Sequence, residues 1–232
     1  IGMGAGNNYG LSEIDTDYGF ILNPDVVLRN DTIDEIILAS KKIDAFSIIS
    51  PIMEDENYPN YKMGKCDNSI NKKDEPFKVN SVDGFAMLLN ISRLNKLENF
   101  RNKKYFDENI FLYLENDDLC KRIIENDENI YIVPKSKIKH LGAKAVDKKY
   151  KYEIELSRNW HWVWSKFYFN KKHYGFLNAY LRVCPIFISA TLKMLLYFFI
   201  NKRKKEIYLF RMLGFINAAL GKKSFYRPKI NN

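Results

Sequence analysis

Between residues 1 and 145, short apolar runs stopped by Asn, Pro, Asp or Gly alternate with stretches of helical period. Nothing else in the sequence limits the fold as strongly, because alternating strands and helices bury their faces only in a layered α/β structure. Residues 1–10 (IGMGAGNNYG) are rich in Gly and Asn and read as a loop running into a helix near Leu11 to Ile14. The run YGFILNPDVVL begins as a buried strand that Asn23 and Pro24 interrupt, the pattern of a strand emptying into a turn. Residues 31–43 predict a helix, with Asp31 or Thr32 as N-cap, acids at its start and lysines at its end. AFSIISPIM reads as a strand ended by Pro51, residues 54–76 as a long polar loop or hairpin, and VDGFAMLLN as a strand. ISRLNKLENF reads as a short helix, a further helix begins around Asp117, and IYIVP and KIKH supply a strand and a strand end. No internal repeat is visible.

From Tyr150 the character changes, so the chain divides into 1–149 and an aromatic, basic tail, 150–232. The apolar run 176–200 is long enough to cross a bilayer, which takes ~20 residues. It contains Arg182, Pro185 and Lys193, however, and NKRKK follows at once. A lysine in hydrocarbon is costly, so helices lying in the interface or half inserted are favoured over a clean span. Charge supports a membrane partner. Residues 163–232 hold 14 Lys and Arg against one acid, Glu206, a balance of +13 that leaves −4 for residues 1–162 out of a total of +9. Basic charge set among apolar helices suits an anionic lipid surface rather than nucleic acid. Trp160, Trp162 and Trp164 are expected at that interface, the alternative being that they pack a helical appendage onto the core, and His161 and His173 are read as interfacial. Three well-separated cysteines without a CxxC argue against a disulfide framework or a zinc site and fit a reducing compartment.

Three groups in the first part carry chemistry. Leu22-Asn23-Pro24-Asp25 places a carboxylate at the end of an apolar strand, where α/β sheets put ligand groups and where a divalent cation can be held. The same four residues also make an ordinary turn. Glu115, Asp117 and Asp118 crowd a helix start, where one can act as general base, although acids also stabilise a first helical turn. On a helix, 115 and 118 share a face while 117 points elsewhere. His140, in KHLGAK after a strand, can ligate a metal, or can be structural.

In order and spacing these groups resemble family 2 glycosyltransferases, particularly rhamnosyltransferase-like enzymes of bacterial surface polysaccharide assembly. The resemblance is carried by Gly2 to Gly10 (GMGAGNNYG), Leu22 to Asp25, Asp83 to Leu89 (DGFAMLL), Phe106-Asp107-Glu108, Tyr113 to Arg122 (YLENDDLCKR) and His140-Leu141-Gly142. It covers roughly the first 146 residues, and the tail is also similar to the ends of such proteins. It implies a GT-A fold, a nucleotide-binding sandwich with a mostly parallel sheet, of which 1–149 is the C-terminal part. The strands that grip the base and ribose are then expected before Gly2. Gly6 and Asn7 become the tail of the donor-binding half, with Asn23 and Asp25 also on the donor. Asp25 and His140 become ligands of a Mg²⁺ or Mn²⁺ ion. Asp83-Gly84 falls on the acceptor side.

The activity implied is inverting transfer of a sugar such as rhamnose from a UDP- or dTDP-sugar, a hexosyltransferase reaction. The acceptor is lipid-linked or polysaccharide, at the cytoplasmic face of the inner (plasma) membrane. Where many relatives carry the base, this chain has Asn116, whose amide cannot take a proton, so the role passes to Glu115, Asp118 or Asp117, with Glu115 and Asp118 favoured because they share a helix face. A second expectation follows from Asn116: a truncated, non-catalytic remnant of the fold that serves as a membrane-associated binding module.

Overall fold

The computed structural model describes residues 2–64, 74–100, 102–142 and 148–228. Cys66 and the middle of the 54–76 stretch lie outside the described residues. The chain divides into two compact units: an α/β unit, Gly6–Asp107 with Asn116–Ala145, and a helical unit, Ile1–Ala5 and Glu108–Glu115 with Val146–Asn232.

In chain order the first part of the chain runs α1 (Met3–Ser12), β1 (Tyr18–Leu22), β2 (Val26–Leu28), α2 (Thr32–Lys42), β3 (Ile48–Met53), β4 (Tyr61–Lys62), β5 (Phe77–Val79), β6 (Ser81–Val82) and β7 (Ala86–Asn90). It continues through α3 (Ile91–Leu94), α4 (Glu115–Ile124) and β8 (Ile130–His140). The main sheet has the order β1-β7-β3-β8-β2, and β5 also pairs with β8; β4 and β6 form a separate pair.

Period-two alternation decides the layers. Ile48, Met87, Leu89, Ile130 and Ile132 point to one face, where Leu11 and the α4 residues Leu119, Cys120 and Ile123 cover them. Their neighbours Ile49, Leu88 and Val133 point to the other, under Ile36 and Ala39 of α2. The expected α/β class is therefore what the unit has. The mostly parallel sheet is not. Among the described residues only β3 and β8 run parallel, while β1 and β3 on β7, and β2 and β5 on β8, are antiparallel. A parallel neighbour needs a long crossover. The stretch from β3 to β8, which includes α4, supplies one, and a buried apolar run reads alike in either direction.

Local expectations fail where tertiary bonds intervene. The Gly/Asn-rich opening is helical from Met3 rather than a loop. Pro51 does not end its strand: β3 continues to Met53, and the register on β8 jumps from Pro51↔Val133 to Ile52↔Lys137. Neither Pro51 nor Pro134 has an N–H to give the ladder, so the irregularity falls where both lie. The Thr32 hydroxyl donates to the Lys137 carbonyl at 2.6 Å and the Ser136 hydroxyl to the Thr32 carbonyl at 2.8 Å, tying the start of α2 to the displaced stretch.

The helical unit contains α5 (Lys151–Tyr174), α6 (Phe176–Leu196) and α7 (Lys202–Ala219). Gly175, at φ +84°, makes the break between α5 and α6 in a backbone region that side chains avoid. Trp160, Val163, Trp164, Phe167, Val183 and Phe215 form its core. The tryptophans expected at a membrane interface therefore pack inward, with Trp160 and Trp164 at 1% and 2% exposure. His161 is fully buried as well, not interfacial. Its Nε2 lies 2.9 Å from the Tyr226 carbonyl oxygen and its Nδ1 3.0 Å from the Ser224 hydroxyl, while the Trp164 indole donates to the Lys222 carbonyl at 3.0 Å. These bonds fasten the segment after α7 onto α5.

Candidate functional site

Strands β1 and β2 sit at opposite ends of the strand order, yet only Asn23, Pro24 and Asp25 separate them. The turn therefore has to carry the chain across the end of the sheet. Asn23 N–H donates to the Phe85 carbonyl at 2.9 Å, Val26 N–H closes the turn on the Asn23 carbonyl at 3.1 Å, and Leu141 N–H donates to the Asp25 carbonyl at 2.9 Å. Every backbone tie of the turn is thus to itself or to the ends of β7 and β8. Because Val26 pairs with His140, the last residue of β8, the Asp25 carboxylate comes to lie 3.2 Å from His140 Nε2, with the two side chains 15% and 25% exposed. The Phe85 ring stacks on the imidazole at 4.2 Å and fixes its plane.

Asp83 occupies the connection between β6 and β7, where its N–H donates to the Asn60 carbonyl at 2.8 Å. Burial, reinforced by the negative charge of Asp117, pushes its carboxyl above the usual carboxylate range, and Lys62 and His140 oppose that shift. Gly84 is buried beside it. Asp117, in the first turn of α4, receives the Lys62 ammonium at 2.5 Å and the Ser81 hydroxyl at 3.5 Å. Asp25, His140, Asp83, Asp117 and Lys62 thus belong to one electrostatically connected group in the α/β unit.

The other acids of α4 are placed differently. Asp118 is fully buried and accepts from Arg122 Nε at 2.9 Å, while the same guanidinium lies over the Phe100 ring and donates to the Tyr105 carbonyl. Glu115 is 4% exposed at the helix start. Positions 115 and 118 do share a face, and that face is turned inward; Asp117 is the acid that meets the Asp83 loop. Asn116 donates to the Val82 carbonyl at 2.8 Å, so its amide ties α4 to β6. Two consecutive non-glycine residues just before Glu115, Tyr113 and Leu114, hold φ of 69°, a conformation costing on the order of 1–3 kcal/mol each.

Gly6 and Asn7 lie within α1. A Cβ at Gly6 would meet nothing, and the Asn7 amide nitrogen is buried with no hydrogen-bond partner among the described residues. Their neighbour Asn8 clasps Phe106 through two bonds of 2.9 Å, to its carbonyl and from its N–H.

Comparison with protein-family models gives no match, and comparison with curated proteins gives none. The site stands on its geometry.

Lys62, Ser81 and Phe85 escaped sequence reasoning as site residues. Lys62 and Ser81 come together only because β4 and β6 pair in the register Lys62↔Ser81, and a two-residue strand inside a polar stretch leaves no periodic trace. Phe85 had a signal, its place after Asp83-Gly84. Among the described residues no group of three or more His, Cys, Asp or Glu side chains gathers as a ready metal cage. Asp25 and His140 are two donors, one oxygen and one nitrogen.

Proposed function

We propose that the chain carries the metal-binding and acceptor-side part of a sugar transferase of GT-A type, which passes a sugar from a nucleotide carrier to a lipid-linked or glycan acceptor at an anionic membrane. The observation that carries the proposal is the Asp25–His140 pair, held 3.2 Å apart at the sheet end and braced by Phe85. One carboxylate and one imidazole fit a Mg²⁺ or Mn²⁺ ion that completes its shell with diphosphate oxygens and water, and do not fit a closed structural site. When bound, the ion would neutralise the charge developing on a nucleoside-diphosphate leaving group. Asn23, in the same turn, would orient the donor in this reading. Gly6 and Asn7, also expected on the donor, lie on α1, and no hydrogen bond among the described residues ties them to that turn.

On the acceptor side, Asp83 and Asp117 form a carboxylate pair in which burial and mutual repulsion raise the proton affinity of Asp83. One carboxylate of such a pair can take the proton of an acceptor hydroxyl while the other stays ionised against Lys62. By this assignment Asp83 takes the proton, and Asp117, one of the three acids expected to supply the base, stays ionised against Lys62 and supports it; Asp118 is committed to Arg122. A second reading, a non-catalytic binding module, has its own support in the Asn116–Val82 bond, which uses the relatives' base position structurally.

Calorimetric titration with Mn²⁺ and UDP- or dTDP-sugars separates the two. The transferase reading expects nucleotide binding that requires the metal, is lost in Asp25→Ala and is weakened about 10–100-fold in His140→Ala. A folded chain that binds no nucleotide with the metal present leaves the binding-module reading standing.

A further inference from the structure

We propose that the turn joining α6 to α7 is a membrane-penetrating tip. In it Phe198, Phe199 and Ile200 enter the acyl-chain region of an anionic bilayer while Lys193, Lys202, Lys204 and Lys205 engage the headgroup phosphates. The inference deepens the membrane attachment proposed above and is independent of whether the α/β unit transfers a sugar.

Helix α6 has the length and hydropathy of a span, yet only 17% of its most apolar window is buried. One of its faces is committed to protein: Ala179, Val183 and Ala190 are buried, with Val183 in the core of the helical unit. The opposite face is bare: Leu177 and Leu181 are exposed near its start, and Leu192, Leu195 and Leu196 are about 60% exposed toward its C-terminal end. The turn that follows continues this surface: Phe198, Phe199 and Ile200 are 50%, 94% and 72% exposed. A phenylalanine left almost wholly in water at the end of a helical hairpin, beside other exposed apolar side chains, forms a patch that calls for a partner.

Charge identifies the partner. The patch is bordered by cations laid over aromatic rings: Lys204 over Tyr197 at 4.8 Å, Lys205 over Phe198 at 5.0 Å and Lys193 over Tyr208 at 5.5 Å. Tyr197 and Tyr208 stack on each other at 5.8 Å. Apolar tip, tyrosine rings and lysines thus lie together, the three chemistries that match a bilayer's hydrocarbon, interface and phosphate. Two acids lie by the start of α7, and both are engaged: Glu206 receives the Tyr152 hydroxyl and Glu155 pairs with Arg203. A second copy of the chain would bring the same lysines against themselves, which self-repulsion opposes.

Depth follows from the helix. Arg182 is 14 residues before Leu196, roughly 20 Å along the axis. An interfacial element enters by about 5–10 Å. The tip can therefore be immersed while Arg182 stays in water beside Tyr174, over whose ring it lies at 4.5 Å. A full span would instead drag Arg182 into hydrocarbon.

The test is co-sedimentation of the whole chain with vesicles of phosphatidylcholine alone or mixed with phosphatidylglycerol, at low and high salt. The expected result is salt-sensitive binding that needs phosphatidylglycerol. It should fall by about tenfold or more in Phe198→Ser/Phe199→Ser, and lose its lipid preference in Lys202→Glu/Lys204→Glu/Lys205→Glu. Both variants change exposed side chains, and unchanged tryptophan emission checks that α5 remains packed. If the phenylalanine variant pellets as well as the parent chain, the tip is refuted and membrane attachment stands. If the parent chain binds neither vesicle, both are refuted, while nucleotide binding is untouched. If the parent chain is a dimer without lipid and the phenylalanine variant a monomer, a second copy covers the patch and the proposal is overturned.

Discussion

Lowering the pH below 6.5 should loosen the helical unit through His161, beginning above the range in which carboxylates titrate. The neutral imidazole with its proton on Nε2 satisfies both neighbours at once: it donates to the Tyr226 carbonyl at 2.9 Å, and its Nδ1 accepts from the Ser224 hydroxyl at 3.0 Å. The ring is buried between Trp160 and Phe111. Burial lowers its pKa from 6.5 to about 4, opposed by the Tyr226 bond and helped by the Arg227 cation. The unfolded chain therefore takes up a proton near 6.5 and the folded unit only near 4. Stability is complete above 6.5, is lost as pH falls toward 4, and is level below that. A gap of that size is worth roughly 3 kcal/mol, at ~1.4 kcal/mol per pKa unit.

All three tryptophans, Trp160, Trp162 and Trp164, lie on α5, so tryptophan emission during urea unfolding follows this unit. With a slope of about 1.5 kcal/mol per molar urea, the midpoint should drop by about 2 M between pH 7 and pH 4. In His161→Gln, whose amide can still donate to Tyr226, the curve starts lower but loses this dependence between pH 6.5 and 4.5. Equal slopes in parent and variant would falsify the assignment.

The remaining predictions separate supporting residues from working ones. Asp118→Asn should cost about 3–5 kcal/mol in thermal or urea unfolding, because it strands the Arg122 guanidinium in a buried site. Asp117→Asn, whose partner Lys62 is largely exposed, should change stability by no more than about 1 kcal/mol while abolishing sugar transfer. Gly214→Ala should destabilise the helical unit by about 1–3 kcal/mol, since its Cβ would stand 2.4 Å from the Trp160 carbonyl oxygen. Gly6→Ala meets open space and should stabilise α1 by about 0.5–1 kcal/mol, both read from urea midpoints.

Much of the α/β unit could be read from the chain because its signals are local. Residues 32–42 form a helix as their period, acids and lysines require, although Asp31 makes no side-chain cap bond. The break at Asn23-Pro24-Asp25 does divide β1 from β2. The sequence pointed to Asp25, His140, Asp83 and Asp117 as residues of interest, and the fold brings them into one group. Among the acids of α4 the sequence favoured Glu115 and Asp118, whereas the fold sets Asp117 beside Asp83. Helical geometry correctly puts 115 and 118 on one face, but whether a face meets solvent or core depends on what packs there, and Arg122 with Phe100 makes it core.

Strand direction was beyond reach for the same kind of reason. Alternation says which side of a strand is buried, and a run such as Ala86–Asn90 is equally apolar beside a parallel or an antiparallel neighbour. Composition likewise marked the tail as aromatic and basic without saying which aromatics face inward. Trp160 and Trp164 are held by the close approach of α5 and α7 at Gly214, whereas Phe199, beyond the end of α6, is left 94% exposed. What the sequence determined by itself was the alternation of elements, the turn chemistry and the charge of the tail, all set within a few residues of each other. Tertiary structure alone decided strand direction, the meeting of Lys62 with Asp117, the burial of His161 and the exposure of Phe199. Each of these depends on surfaces distant in sequence excluding, or failing to exclude, water from a side chain.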